Sequence, residues 1–265
     1  MRALWIGATG LTAAQTKIDT HAHNVANINT VGFKGKDVLF SEAMHRQVHR
    51  PNRPSTQVPG ALEPQSIGGG ALAVGTRTDF RPGAWLTTGQ DWHLAIQGDG
   101  FFVVGFEAAP DGRAYTRAGE FRVDRDGRVV DPWGNPLLAD NGRPITVPRD
   151  AVQVTVQRDG RIFAQMDDGD QRSLGRLRLA RFVNPEGLAS LGNGLFVDTE
   201  ASGEPQLVNP GGSDLYIQQG ALESANVDLA AEMVGLITAQ RTMQFAARVV
   251  QTTDEMMGIA NRIYR

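Results

Sequence analysis

The chain has 265 residues, 41% of them hydrophobic, with 26 basic and 29 acidic side chains and a net charge of −3. That length allows one or two domains with a real core, and charge spread without large blocks gives no electrostatic case for nucleic acid. No run approaches the ~18 apolar residues of a membrane span, and the absence of cysteine excludes thiol nucleophiles and disulfides.

Leu4, Leu11, Ile18 and Val25 recur every seven residues, with Gly7, Ala14, His21 and Ile28 on adjoining positions. The spacing predicts a helix over about 3–28 with a thin apolar seam. Gly7, Ala8, Ala13, Ala14 and Ala22 permit close approach of another helix. Thr12, Gln15, Lys17, Asp19, Thr20 and Asn24 read as its solvated face. Leu4-Trp5-Ile6 is cut short by Gly7, so no cleaved secretory signal is expected.

Asn27 and Asn29 compete with the helix for backbone hydrogen bonds. Gly32 suits a left-handed exit, and Phe33 opens an extended segment continued by Val38, Leu39 and Phe40. Residues 44–70 hold Pro51, Pro54, Pro59 and Pro64, a basic group of His45, Arg46, His49, Arg50 and Arg53, and a closing Gly68-Gly69-Gly70. They read as a long irregular segment that a partner could order.

From 71 to 222 the pattern predicts short strands at 71–80, 92–97, 101–106, 114–117, 120–124, 128–131, 144–147, 152–157, 161–165, 175–183, 194–198 and 214–223. Asp111-Gly112-Arg113, Asp126-Gly127-Arg128, Asn141-Gly142-Arg143 and Asp159-Gly160-Arg161 repeat one turn signal. Such pairs suit both central positions of a type I′ hairpin turn, so an antiparallel all-β domain is expected. In Gln97-Gly98-Asp99-Gly100-Phe101-Phe102, the two glycines permit a sharp turn. Phe101 and Phe102 then face opposite sides of a strand, one in the core and one at its edge.

The last segment, from Val227 to about Ile263, contains no proline. Leu229, Met233, Leu236, Met243, Ala247, Val250, Met257 and Tyr264 follow three- and four-residue steps, with Gln240, Asp254 and Asn261 on the same seam. Val249, Met256 and Ile263 form a second row. A helix of that length is several times the ordinary one and calls for a helical partner.

Sites for chemistry are few. Asp124–Gly127 and Asp167–Asp170 lack the downstream Glu of an EF-hand and read as turns. His45 and His49 stand at metal-ligand spacing without an identifiable third ligand. No nucleophile-elbow, phosphate-loop or dinucleotide motif is present. Trp85, Trp92 and Trp133 read as core. No catalytic, metal or cofactor site is expected. The rival readings are a secreted β-domain adhesin or glycan-binding module, marked by an exposed aromatic platform, and a hydrolase with two converging carboxylates.

Several stretches carry a resemblance. Leu4-Trp5-Ile6 with Thr9-Gly10-Leu11, the run Asn24 to Lys34, Gln97 to Phe102, Tyr115 to Phe121, Ser224-Ala225-Asn226-Val227, Glu232-Met233-Val234 and Gln240-Arg241 resemble the bacterial flagellar rod and hook axial family, most of all its distal-rod branch. Met243, Ala118 and His23 depart from the residues usual there. The resemblance implies long terminal helices forming a coiled-coil-like domain (1–34 with 223–265), an extended connecting segment (35–90) and a central antiparallel β domain (91–222). It implies a structural subunit that self-assembles into a torque-transmitting helical tube around the export channel, a proximal-rod or hook-type paralogue being the alternative.

Further implications concern partners and place. The partners implied are copies of the chain, neighbouring rod and hook proteins, the flagellar type III export apparatus and an outer-membrane ring bushing, with no nucleic acid and no membrane insertion. The implied location is the extracytoplasmic basal body, reached without a cleaved signal. Leu4, Leu11, Ile18, Val25, Met233, Leu236, Met243 and Val250 are the candidate helix-packing residues. Asn24, Asn27, Thr30, Gly32, Phe33, Gly98, Gly100, Phe101, Asn226, Gln240 and Arg241 carry the motifs and the joint between helix and β domain. Helices with so few partners within the chain are expected to gain full order on assembly.

Overall fold

A computed structural model describes residues 2–43, 46–47, 66–109 and 111–263. His45, His49, Pro51, Pro54, Pro59, Pro64 and Tyr264 lie outside the described residues. Within 44–65 only Arg46–Gln47 is described, paired antiparallel with Ser66–Ile67. The protein mixes two long helices with many antiparallel strands in two compact units. One comprises Met1–Val25, Lys36–Arg77 and Asp228–Arg265, the other Ala26–Gly35 and Thr78–Val227. These divisions differ from the expected ones: 36–77 groups with the helices, and 26–35 and 78–90 group with the β unit.

In the helical unit, α1 spans Arg2–Ala26 and α2 spans Leu229–Ile263. The 35 residues of α2 extend about 52 Å. Asp228 caps it, its carboxylate accepting the Ala230 N–H at 2.9 Å. The helices run antiparallel. A Cβ on Gly7 would lie 2.6 Å from Val250 Cγ2, one on Gly10 would lie 3.7 Å from Ala246 Cβ, and Gly235 abuts the His21 ring. Of the small residues expected to permit close approach, Gly7 and Ala14 are buried and Ala13 is half-buried, whereas Ala8 and Ala22 are exposed; Gly10 and Gly235 make the other close contacts. Lys36–Glu42 pairs with Ala71–Thr78 in a two-stranded ribbon.

In the β unit a six-stranded antiparallel sheet runs in the order Ala189–Gly192, Leu195–Val197, Arg113–Thr116, Phe101–Gly105, Leu179–Arg181, Gln206–Val208. A three-stranded sheet holds Ala151–Val156, Arg161–Met166 and Gln171–Arg176. Tyr216–Gln219 pairs with Leu94–Gln97, and Ala221–Glu223 with Trp85–Thr87. Period-2 alternation sends Phe102 and Val104 into one core with Leu94, Ile96, Leu137, Ile145, Ile162 and Leu177. Phe101 and Val103 enter a second with Tyr115, Ala180, Phe182 and Phe196. Both phenylalanines are therefore core, and the expectation of one edge residue fails because the central sheet is covered on both faces. Residues 144–147 form no strand, only isolated bridges from Pro144 to Leu138 and from Thr146 to Arg128.

The hairpin turns are of a different type from the one expected. Gly112, Gly127, Gly142 and Gly160 have φ of 66° to 82°, but no Asp or Asn before them has positive φ. Each glycine N–H bonds the carbonyl three residues back, as in Gly127 to Asp124 at 2.9 Å; around Gly112 the loop closes from Phe106 N–H to Gly112 O at 3.0 Å, whereas at Gly127, Gly142 and Gly160 the strand closes one residue later, as in Asp124 N–H to Arg128 O at 2.8 Å. These last three are type I turns followed by a left-handed glycine bulge. The Asp or Asn stays at negative φ, and the side chains of Asn141 and Asp159 accept the N–H of Arg143 and Arg161, two residues on. Asp131–Asn135 and Met166–Asp170 close in the same way, which accounts for the calcium-like Asp167–Asp170 run. Among the described residues no cluster of metal-binding side chains occurs.

The tryptophans correct another expectation. Trp85 and Trp133 are 37% and 49% exposed, and only Trp92 packs against the core. Trp85 sits on a short strand pair, edge-on to Tyr216 at 6.2 Å, and Trp133 sits in the Asp131–Asn135 turn.

Tyr115 is 1% exposed, and burial, reinforced by Asp198, pushes its phenol up to about 12. The folded pKa lies above the unfolded one, so the stabilisation is complete below pH 10 and is lost as pH rises towards 12. A loss of up to about 3 kcal/mol is expected across that window. Stability of the chain against its Tyr115→Phe variant, with phenolate absorbance, measures it. Equal alkaline curves for the two would refute it.

Candidate functional site

Residues 26–35 and 223–227 are the chain's way into and out of the β unit, and the quoted motifs converge on them. Gly32, at φ 66°, presses its backbone on Ala118 and donates its N–H to Glu223 O at 2.8 Å. Any side chain there meets the Ala118 backbone nitrogen at 2.5 Å. Gly32→Ala is expected to destabilise the unit by more than about 2 kcal/mol, from the left-handed conformation and the clash together. Urea denaturation followed by tryptophan fluorescence checks this, and a neutral result would count against the joint.

Beneath it lies a buried charge cluster. Glu223 Oε1 accepts from Lys34 Nζ at 2.6 Å and from the Gly83 N–H at 2.9 Å. Its other oxygen accepts from Arg117 Nη1 at 3.4 Å. All three side chains are no more than 2% exposed. Lys34 also donates to Arg81 O at 2.8 Å, and Arg117 donates to Gly98 O at 2.8 Å while lying over the Phe101 ring. Burial lowers the pKa of Lys34 and of Arg117, and Glu223 opposes the shift in both. Asn226 supplies the neutral counterpart. Its Oδ1 accepts the Gly35 N–H at 2.8 Å and its Nδ2 donates to Asp79 O at 2.7 Å.

In the helical unit, Asn24 is 2% exposed. Its amide donates to Lys36 O and to Glu232 Oε1, both at 2.8 Å, and its oxygen accepts the Lys36 N–H. His21 Nδ1 donates to Glu232 Oε2. The reading of Asn24 as solvated is thus overturned, because the ribbon strand and α2 both close on that side of α1.

Of the helix-packing candidates, Leu4, Leu11, Ile18, Val25, Leu236, Met243 and Val250 are half-buried, whereas Met233 is 53% exposed. The covered row of α2 runs Glu232, Leu236, Ala239, Met243, Ala246, Val250, Thr253, Met257. It is rotated from the expected seam, leaving Gln240, Arg241 and Asp254 exposed. Ala246 faces Gly10 of α1, and Ala239 is 2% exposed in the same row.

At the joint, Asn27 turns the chain by accepting from Thr30 N–H at 3.0 Å, and Phe33 donates its N–H back to Thr30 O. Gly98, through its carbonyl, and Phe101, through its ring, meet Arg117 of the cluster. A Cβ on Gly100 would lie 3.3 Å from Leu179 and from Leu215, a tight fit that those side chains must yield to admit. Sequence reasoning missed Lys34, Arg117, Glu223, Glu232 and His21 as functional positions. Lys34 and Arg117 stand inside quoted motifs, but nothing in one sequence pairs them with Glu223, 189 and 106 residues away.

Comparison with known proteins agrees with the geometry. Residues 4–34 match the family described as flagella basal body rod protein, 95–164 the flagellar hook protein FlgE/F/G D1 domain, and 218–263 the flagellar basal body rod FlgEFG protein C-terminal region. The flagellar basal-body rod protein FlgG of Borreliella burgdorferi is 35% identical over all of this chain and 99% of its own length. That of Agrobacterium fabrum is 36% identical over 99% of both, and that of Bacillus subtilis 34% over 97% of both. The matched segments are those that build the helix pair, the joint and the central sheet, and the chain accordingly belongs to the flagellar basal-body rod protein family, with FlgG proteins among its full-length relatives.

Proposed function

We propose that the chain is a structural subunit of the distal rod of the bacterial flagellar basal body. Full-length similarity to FlgG proteins carries this reading. The physical support is the surface of the helical unit. Met233, Val234, Ile237, Phe245, Val249, Met256 and Ile259 of α2 are each 48–65% exposed, an apolar extent that a lone soluble chain rarely shows. Copies related by a contact that does not close build an open helical tube. The helices then form its coiled-coil-like inner layer, with Leu4, Leu11, Ile18, Val25, Leu236, Met243 and Val250 holding each helix pair and Met233 meeting neighbours.

The tube encloses the export channel and passes torque to the hook. Its neighbours are other rod and hook proteins and an outer-membrane ring, and the chain reaches the extracytoplasmic basal body through the flagellar type III apparatus. The role asks for no catalysis, in keeping with relatives named as rod proteins. The Lys34–Glu223–Arg117 cluster and Asn226 make the joint that keeps the entering and leaving strands fixed under load. Cryo-tomography of motors in a strain lacking the chain tests this. A short rod stump without hook or filament is the expected result, and intact motors with full hooks would overturn it.

A further inference from the structure

A type I′ turn does occur in the β unit, at Asn193-Gly194. Gly192 pairs with Leu195 across it, and its two central residues have φ of 54° and 71°. Among the described residues Asn193 is the only non-glycine at positive φ. It is exposed at the tip of the hairpin that forms one edge of the six-stranded sheet. The chain has two Asn-Gly pairs, this one and Asn141-Gly142.

In an Asn-Gly pair the backbone nitrogen can reach the preceding side-chain amide with little hindrance, because glycine has no Cβ. The two pairs differ in what holds the reacting atoms. At Asn141 both are held. The Gly142 N–H donates to Ala139 O at 2.9 Å, and Asn141 Oδ1 accepts the Arg143 N–H at 2.9 Å. At Asn193, among the described residues, neither the side-chain amide nor the Gly194 N–H has a hydrogen-bond partner. Gly194 is held through its carbonyl, which accepts from Thr116 Oγ1 at 2.9 Å.

We infer that Asn193 is the chain's site of spontaneous deamidation, with water as the co-reactant. The Gly194 nitrogen attacks Asn193 Cγ and gives up its proton as the new N–C bond forms. The bond from Cγ to the side-chain nitrogen breaks, and ammonia leaves a cyclic imide behind. Water then opens the ring at either carbonyl, giving aspartate or isoaspartate, with nothing oxidised or reduced. In isoaspartate the main chain runs through Cβ and Cγ. It is then one atom longer, and the turn no longer closes Gly192 on Leu195. The strand beyond the turn sends Leu195 into one core and Phe196 into the other, so the change loosens the sheet from its edge.

The test compares the two pairs within one chain. The full-length protein is incubated at mildly alkaline pH, folded in one sample and unfolded in urea in another. Peptide mapping by mass spectrometry follows both asparagines, with fragmentation that separates aspartate from isoaspartate. The unfolded rates calibrate each pair without its hydrogen bonds. The ratio of folded to unfolded rate should be about tenfold higher at Asn193 than at Asn141, where two ordinary hydrogen bonds must break first. A ratio at Asn193 equal to or below that at Asn141 would overturn the inference, as would full protection of both by folding.

Ammonia released by the folded chain is measured in parallel. It should fall to a small remainder in Asn193→Gly, a variant that keeps the turn because glycine suits the left-handed position. Undiminished release from that variant would place the reaction elsewhere and would also overturn the inference.

Discussion

Glu223→Ala is expected to destabilise the β unit by about 3–5 kcal/mol, the loss typical when one partner of a buried ion pair is removed. The carboxylate is 1% exposed and faces two cations at 2.6 and 3.4 Å. Without it, Lys34 and Arg117 remain buried with no counter-charge, and the Gly83 N–H loses its acceptor. Lys34 can escape by shedding its proton, since burial already lowers its pKa. Arg117 has no such exit under ordinary conditions.

The sign of the pH dependence follows. A lysine whose folded pKa lies below the unfolded 10.5 penalises folding while both states are protonated. The penalty is relieved as pH rises from the folded value towards 10.5. The variant should therefore recover part of its loss at alkaline pH. Glu223→Gln keeps an acceptor for Lys34 and Gly83 and should fall between the two. Urea denaturation of the full chain, followed by near-ultraviolet circular dichroism, measures all three. A loss under about 1 kcal/mol for Glu223→Ala would mean that the cluster does not hold the joint.

The second large effect is on assembly. Leu236→Asp places a charge in the covered row of α2, among Glu232, Ala239 and Met243. A carboxylate there loses solvation without a cation to meet it. The helix pair should open, and the chain should be missing from isolated basal bodies, with motility lost. The β unit should keep its near-ultraviolet spectrum, because its cores draw on none of α2. Ile237→Asp, one position on and 51% exposed, separates the two uses of the helix. It should leave the helix pair formed yet still block incorporation. Rods built from Leu236→Asp chains would refute the role of the covered row.

How much of this was legible beforehand differs by level. Periodicity located both helices to within two residues, because each apolar stripe repeats over many turns and errors average out. It did not locate the contact face of α2, because Met233, Gln240 and Asp254 satisfy the same three- and four-residue steps as the observed row. The glycines Gly7 and Gly10 broke the tie, and they lie on the other helix. The Asp-Gly and Asn-Gly pairs announced hairpins, but not their type. Both turn types accept those residues, and strand twist and register choose between them. The exposure of Trp85 and Trp133 was not legible, because composition cannot tell a residue under a second layer from one at an uncovered edge.

By itself the sequence determined what local periodicity and local backbone chemistry specify: two long amphipathic helices around a turn-rich antiparallel β region, the left-handed exit at Gly32, and the motifs of a rod protein. Only the tertiary structure decided which distant residues share a site. Lys34, Arg117 and Glu223 are ordinary charged residues until the fold removes water from all three at once. Asn24 is an ordinary polar helix residue until α2 and the ribbon strand cover it. The physical reason is that desolvation and charge pairing depend on distances between residues far apart in the chain, and one sequence carries no record of those distances.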